Sequence, residues 1–122
     1  MEIVEIESVL EQLTESNPQV LLSMIVSPDG LNLAHYGNVE DPENVGALYS
    51  ELDVVSDKIM TELQSGRLKE MFIRSEKACI TILPISGTED KGILACMTTT
   101  DINSRLMMHI MWKAVNQLDK VM

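Results

Sequence analysis

The chain has 122 residues and a formal net charge of −10, and hydrophobic residues make up 45% of it while aromatic residues make up only 3%. This length predicts one domain, residues 1–122, that buries a core without disulfide or metal support. The core must then be built from aliphatic side chains and from the nine methionines. The acidic balance argues against nucleic acid or an anionic membrane as a partner, because phosphate recognition requires clustered Lys and Arg. The arginines available, Arg67, Arg74 and Arg105, are dispersed along the chain.

The two cysteines and the start of the chain predict a reducing compartment. Cys79 and Cys96 lie inside apolar runs without CxxC spacing, so we expect buried free thiols rather than a zinc site or a disulfide. Met1 leads directly into an acidic helical pattern instead of a signal peptide, and no apolar run approaches the ~18 to 20 residues of a membrane span. The expected location is the cytoplasm, and no metal or other cofactor is expected.

The first part of the chain predicts a helix followed by a hairpin. An amphipathic helix over residues 2–16 places its apolar positions on one face. These positions are Ile3, Ile6, Leu10 and Leu13. The run VLLSMIV at residues 20–26 is apolar on both pleat faces, which is typical of a central strand covered by helices. SPDG at residues 27–30 predicts a tight turn into a second strand, LNLAHY, that has one wetter face.

The longest helical signal runs from residue 40 to residue 67. Asp41 offers an N-cap oxygen and Pro42 fills the first helical position. Gly66 is expected to end the helix by taking a left-handed conformation. Apolar residues recur at steps of three or four, so we expect one stripe of this helix to face the core. The stripe consists of Val45, Leu48, Leu52, Val55, Ile59 and Leu63.

Two other strips of the same helix are candidates for contact with a partner. The side chains on the opposite face are mostly short, whereas a solvated helix face would usually carry long Glu and Lys side chains. It consists of Ala47, Ser50, Val54, Asp57, Lys58 and Thr61. A second, semi-apolar strip consists of Tyr49, Asp53, Ser56 and Met60. One interpretation is a surface helix with scattered small residues; the other is an interaction helix whose short side chains let another surface approach closely.

The second half of the chain predicts three strands and a last helix. LKEMFIR at residues 68–74 has charged interruptions typical of an edge strand, and ACITILPI at residues 78–85 ends near its proline. A polar loop, SGTEDK, separates these from GILACMTTT at residues 92–100, which reads as a central strand. The last helix is expected to be capped by Thr100 or Asp101. Its predicted core stripe is Ile102, Leu106, Ile110, Ala114 and Leu118.

This last helix is apolar nearly all round. It is therefore either sandwiched between the sheet and another helix or offered to a partner, with Trp112 as an anchor. We expect it to pack against the first helix, which would lie beside it. The whole order predicts an α+β fold: a five-stranded, mainly antiparallel sheet with the long helix on one face and the terminal helices on the other.

The motifs of catalysis are missing from the sequence. It contains no GxSxG, no Gly-rich phosphate loop and no HExxH. His35 and His109 belong to no nucleophile motif, and we expect both to be half-buried structural residues. The sequence leaves open a pair of carboxylates with different pKa values that could act in acid/base catalysis. We nevertheless expect a protein that is not an enzyme.

The succession of these segments resembles the Roadblock/dynein light-chain family over essentially the whole chain. The resemblance is carried by LLSMIVSPDGLNLAHYG, by ELQSGRL at the end of the long helix, by MFIR and ACITILPI, and by GILACMTTTDINSRL. Its most specific part is the apolar strand that runs into SPDG and a second strand, followed by a helix that ends in Gly. Ser104 stands where relatives often carry Gly, which bears on close packing at that point.

The resemblance implies a Roadblock/profilin-like fold and a homodimer in which the third strands of two subunits pair and the long helices lie side by side. The pairing edge would be Lys69, Met71 and Ile73. The helix seam would be Tyr49, Asp53, Ser56 and Met60. Family members serve as platforms for small Ras-like GTPases or as subunits of motor and scaffold complexes. The implied GTPase surface is the outward helix face: Ala47, Ser50, Val54, Asp57, Lys58 and Thr61.

The resulting hypothesis is a non-catalytic homodimeric platform that binds and regulates a small Ras-like GTPase. Any activation would proceed without an arginine finger, because Arg67 is expected to be a solvated cation at a helix end. The alternative is a structural light-chain or adaptor subunit. Ligand sensing in a small pocket is a third hypothesis, by analogy with other sheet-and-helix domains.

Overall fold

The computed structural model describes residues 3–87 and 91–122, and its elements follow the predicted order. They are α1 (Ile3–Glu15), β1 (Val20–Val26), β2 (Asn32–Gly37), α2 (Pro42–Glu62), β3 (Met71–Arg74), β4 (Cys79–Pro84), β5 (Ile93–Thr98) and α3 (Ser104–Val121). A short 3-10 turn at Ile85–Gly87 follows β4. The polar loop expected between β4 and β5 includes residues 88–90, which lie outside the described residues.

The five strands form one sheet in the order β2-β1-β5-β4-β3, and every neighbouring pair is antiparallel. β5 is central and β1 is an interior strand, as their apolar residues on both faces predicted. β3 pairs only with β4, with Phe72 opposite Thr81, so its outer edge is unpaired. The predicted α+β fold is confirmed, including the edge position of the third strand.

Helices cover the two faces of the sheet unequally. α1 and α3 pack together on one face, over a core that includes Leu10, Ile25, Leu94 and Met111. α2 alone covers the other face, where Tyr49 joins a second cluster. The strand members of that cluster are Leu22, Met24, Val26, Ile82, Ile93 and Ala95. The predicted packing of the last helix against the sheet and beside the first helix is therefore confirmed.

Side-chain caps begin the second and third helices. The Asp41 carboxylate accepts a hydrogen bond from the backbone amide of Asn44 at 3.1 Å, as predicted. For α3 the predicted cap is wrong, because the Asn103 side chain accepts from the amide of Leu106 at 3.1 Å. Asp101 instead accepts a hydrogen bond from the Thr99 hydroxyl at 2.6 Å, which holds its pKa below the ordinary value. The helix begins only after this turn.

The predicted end of α2 at Gly66 is also wrong. Gln64 adopts a left-handed φ of 55°, and its amide bonds to the carbonyl of Thr61 at 3.0 Å. The next amide, that of Ser65, bonds to the carbonyl of Met60 at 3.0 Å. These two bonds form a Schellman cap, which satisfies the last carbonyls of the helix before the glycine is reached.

The predicted core stripe of α2 does not face the core of the single chain. Four of its six members are largely exposed: Leu48 at 53%, Val55 at 53%, Ile59 at 49% and Leu63 at 69%. Val45 and Leu52 are half-buried at the border of the second cluster. The residues buried beneath the helix are Gly46, Tyr49 and Asp53. The helix is rolled onto its Gly46 side because that residue brings the backbone close to β2, where a Cβ would lie 3.4 Å from the amide nitrogen of Asn32.

The predicted core stripes of the two terminal helices are only partly right. In α3, Ala114 and Leu118 are buried as predicted, but Leu106 is 48% exposed. The other buried residues of α3 are Met107, Met111 and Val115. Met107 and Met111 are flexible side chains that fill the cluster shared by α1, α3 and the sheet. Helical periodicity alone did not predict that these methionines face the core. Ile102 and Ile110 are half-buried, and in α1 Ile3 is exposed while Ile6, Leu10 and Leu13 are buried.

Titratable residues outside α2 differ in how well they were predicted. His35 and His109 are exposed rather than half-buried. Cys79 and Cys96 are buried free thiols, as predicted.

Across residues 3–87 and 91–122, no helix combines the length and the hydropathy that a bilayer crossing requires.

Replacing Asp41 by Ala tests the N-cap. We expect a loss of about 1 kcal/mol in the free energy of unfolding, because the amide of Asn44 loses its acceptor. Urea unfolding followed by circular dichroism, at fixed protein concentration, measures this loss. Glu40→Ala is the matched control: it removes a neighbouring exposed carboxylate and should change stability by less than about 0.5 kcal/mol. Equal losses in both variants would show that Asp41 does not cap the helix.

Burial raises the pKa of the Cys96 thiol to about 12. The thiolate, which is the reactive form, is therefore suppressed in the folded protein, and reaction requires opening of the core. In a thiol-specific colorimetric assay near pH 8, the Cys79→Ser variant should react slowly when folded and fully in denaturant. Rapid reaction of the folded variant would contradict the burial of Cys96 between the sheet and α3.

Candidate partner-binding surfaces

The strip expected to form a helix seam faces the chain's own sheet. Tyr49 and Asp53 are only 8% and 7% exposed. Burial raises the pKa of Tyr49, so its hydroxyl stays protonated at neutral pH. Ser56 is half-buried, and its hydroxyl donates to the Met71 sulfur at 3.7 Å, while Met60 is half-buried near the end of the helix. Tyr49 and Asp53 therefore have little exposed surface left for a neighbouring helix in the single chain.

A continuous apolar strip instead lies on one flank of α2. We call it the apolar flank, and its members are Leu48, Leu52, Val55, Ile59 and Leu63. All but Leu52 are about half or more exposed. Leu52 is half-buried against the cluster that also contains Met71, Ile80 and Met97 at its border. Contiguous exposed apolar side chains of this size are typical of an interaction surface.

The unpaired edge of β3 lies beside the C-terminal half of α2. The Asp57 carboxylate accepts a hydrogen bond from the amide of Leu68 at 3.2 Å, just before the strand. Lys69 is exposed, while Met71 and Ile73 are half-buried. Met71 packs in the cluster under α2, so the predicted pairing edge and the helix belong to the same face of the sheet. The structure thus brings the β3 edge and α2 together.

The small-residue flank lies on the other side of α2. Ala47, Val54, Lys58 and Thr61 are exposed, and Ser50 and Asp57 are half-buried. Gly30, at a φ of 86°, rests against this flank, where an added Cβ would lie 3.3 Å from the Cβ of Ser50. The SPDG turn therefore continues the surface that the sequence had predicted from α2 alone.

A hollow of about 260 Å³ opens between the small-residue flank and the sheet. Ser50, Val54 and Asp57 form its helical wall. Pro28 of the turn and Gly92, before β5, form the opposite side. Sequence reasoning predicted the turn but not its position against α2, because the contact joins segments that are distant in the chain.

Possible metal ligands and Arg67 complete the description of these surfaces. Within it, no three His, Cys, Asp or Glu side chains are grouped as a metal ion would require. Arg67 is exposed in the segment between α2 and β3, outside the small-residue flank.

Comparisons with known proteins agree with this fold. The sequence model of the Roadblock/LC7 domain matches residues 6–99. MglB from Myxococcus xanthus superimposes with a TM-score of 0.88 at 15% identity, over 98% of this chain and 89% of that chain. A Roadblock/LC7 domain from Streptomyces avermitilis gives 0.85 at 14% identity, over 94% and 95%. The gliding protein MglB from Thermus thermophilus gives 0.85 at 12% identity, over 98% and 89%.

No curated protein sequence matches the chain. At such low identities the structural likeness shows the fold, and the family is shown by the sequence match across most of the chain. The chain belongs to the Roadblock/LC7 domain family, whose members are regulatory or adaptor proteins.

Proposed function

We propose that two copies of this chain form a cytoplasmic, non-catalytic platform that binds and regulates a small Ras-like GTPase. The observation that carries the dimer is the exposed apolar flank of α2 beside the unpaired edge of β3. Membership of the Roadblock/LC7 family supports the regulatory role, and the GTPase as partner follows from the family resemblance.

The dimer is argued from two features that the single chain leaves open. Fully burying a Val, Leu or Ile side chain is worth about 1.5–3 kcal/mol, and Leu48, Val55 and Ile59 are each about half exposed in the single chain. An unpaired strand edge exposes a row of backbone donors and acceptors. A two-fold axis beside β3 satisfies both features with one self-complementary contact. The helix seam that we propose is therefore the apolar flank, together with the edge residues Lys69, Met71 and Ile73.

The GTPase would dock on the small-residue flanks of the paired helices. Ala47, Ser50 and Val54 are short, so a partner can approach the helix backbone closely. The hollow beside Pro28 offers space for one partner side chain, with Asp57 and Lys58 available for polar contacts. Regulation would act by repositioning the GTPase's own residues, since Arg67 lies outside this flank.

Ile59→Asp tests the dimer seam. We expect the molecular mass from light scattering to fall to that of one chain, because a carboxylate would be buried at the seam. Folding should survive, since Ile59 is 49% exposed in the single chain. Thr61→Asp is the matched control, which places the same carboxylate on the small-residue flank and should leave the dimer intact. A dimeric Ile59→Asp variant, or a monomeric parent protein, would refute the seam.

Val54→Glu tests the docking flank. Affinity for a Ras-like GTPase from the same genome, measured by calorimetry in its GDP and GTP-analogue forms, should fall by roughly tenfold or more. Val4→Glu makes the same change on the other face of the sheet and should bind as the parent does. Binding without preference for either nucleotide form would favour the adaptor alternative over regulation. Unchanged binding by Val54→Glu would place the contact elsewhere.

Arg67→Ala tests the absence of an arginine finger. An arginine finger contributes about 10³ to 10⁵ in rate, so its removal would nearly abolish stimulation. If this protein stimulates GTP hydrolysis, we expect Arg67→Ala to change the stimulated rate by less than about twofold. Single-turnover hydrolysis with saturating protein measures it. A thousandfold loss would show that Arg67 acts directly on the nucleotide.

A further inference from the structure

A second surface lies on the face of the sheet that α2 does not cover. α1 and α3 run antiparallel there: Ser16, just after α1, lines the same hollow as Leu106 near the start of α3, and Val4 near the start of α1 lines the same hollow as Val121. Two hollows follow their seam, of about 300 and 470 Å³. Both hollows are lined by Val9 and Gln117, so they are continuous. We call the whole depression the α1–α3 groove.

The groove is long and has an apolar floor. From Leu106 to Val121 the helical rise gives about 22 Å. Val9, Leu13 and Ile110 line its bottom, and Leu106 is 48% exposed at one end. Val4 is 78% exposed at the other end. These dimensions match a helix of about four turns laid between two others, as in helix-in-groove recognition.

The charge of the groove is opposite to that of the chain. In a protein with a formal net charge of −10, the α3 wall carries His109, Lys113 and Lys120. The acidic residue of α3, Asp119, is already paired with Lys91 at 2.8 Å. The α3 wall is therefore basic.

The α1 wall adds little negative charge, although α1 is rich in Glu. Its groove side consists largely of Ser8, Gln12 and Ser16, with Glu5 near one end. Glu11 and Glu15 lie on the other side of α1, beside β2. There the Tyr36 hydroxyl donates to Glu15, and this hydrogen bond, with burial and the nearby carboxylates, raises the pKa of Tyr36. Glu11 and Glu15 are thus turned away from the groove, and Glu5 is the acidic residue of α1 that lines it.

We propose that the α1–α3 groove binds one amphipathic helix of another protein, with apolar residues in the groove and acidic side chains against Lys113 and Lys120. A concave, apolar seam with one basic wall fits such a helix. It does not fit a flat anionic membrane, which the net charge of the chain would also repel. The groove lies on the opposite face from α2, so this contact is independent of the proposed GTPase platform and compatible with it.

A peptide library tests this proposal on the full chain. The library displays helices of about 16 residues with Leu at positions i, i+4, i+7 and i+11, and with flanking positions randomised among Glu, Gln and Lys. Selection should enrich Glu over Lys at flanking positions by roughly fivefold or more. Against Lys113→Glu/Lys120→Glu the preference should reverse to Lys. Arg67→Glu/Lys77→Glu, which makes the same total charge change outside the groove, should retain the preference for Glu.

Affinity measurements complete the test. The most enriched peptide, measured by fluorescence anisotropy, should bind Lys113→Glu/Lys120→Glu roughly tenfold more weakly and the control within about twofold. Leu106→Ser should also weaken binding, because it removes exposed apolar surface at one end of the groove. Failure to enrich any helix, or the same enrichment on the charge-reversed variant, overturns the proposal. Binding of phosphatidylserine vesicles through Lys113 and Lys120, without peptide binding, overturns it in favour of a membrane contact.

Discussion

The structure depends on the difference in width between one helix and the sheet that it covers. Five strands spaced about 4.8 Å apart make a sheet roughly 24 Å wide, while a helix with its side chains is about 10–12 Å across. Two helices cover one face, but α2 alone lies on the other. A single helix cannot seal that face, so Ile80 and Met97 stay half-buried and the apolar flank remains open. The chain therefore has a buried core under α1 and α3 and an incompletely covered cluster under α2.

This incompleteness gives the two sides of α2 different chemistry. The sheet-facing side is fixed by Gly46, which permits close approach to β2, and by Tyr49, which fills the cluster below. The helix then has an aliphatic flank on one side and a short, mixed flank on the other. A second copy would cover the first and leave the second free for a different partner.

The opposite face follows a different rule. There α1 and α3 lie side by side on the sheet, and their antiparallel seam is a groove with a basic wall in an acidic protein. The two faces thus carry surfaces of different character: the α2 face has the apolar flank and the small-residue flank that we propose for self-association and docking, and the α1–α3 face has the groove that we propose for a single helix.

The sequence by itself determined the elements, their order and the edge position of β3, because local spacing, the Asp41 cap and charged interruptions act over a few residues. It also determined which residues of α2 are apolar and which are short. Only the tertiary structure decided how α2 is rolled on the sheet, which turned the predicted core stripe outward and buried Tyr49 and Asp53. That roll depends on the close approach of Gly46 to Asn32 and on the width of the sheet. Both are set by segments that are distant from one another in the sequence. The same limit applies to the Pro28 turn beside Ser50 and to the groove between α1 and α3, because helical periodicity gives the direction of a side chain but not the element it meets.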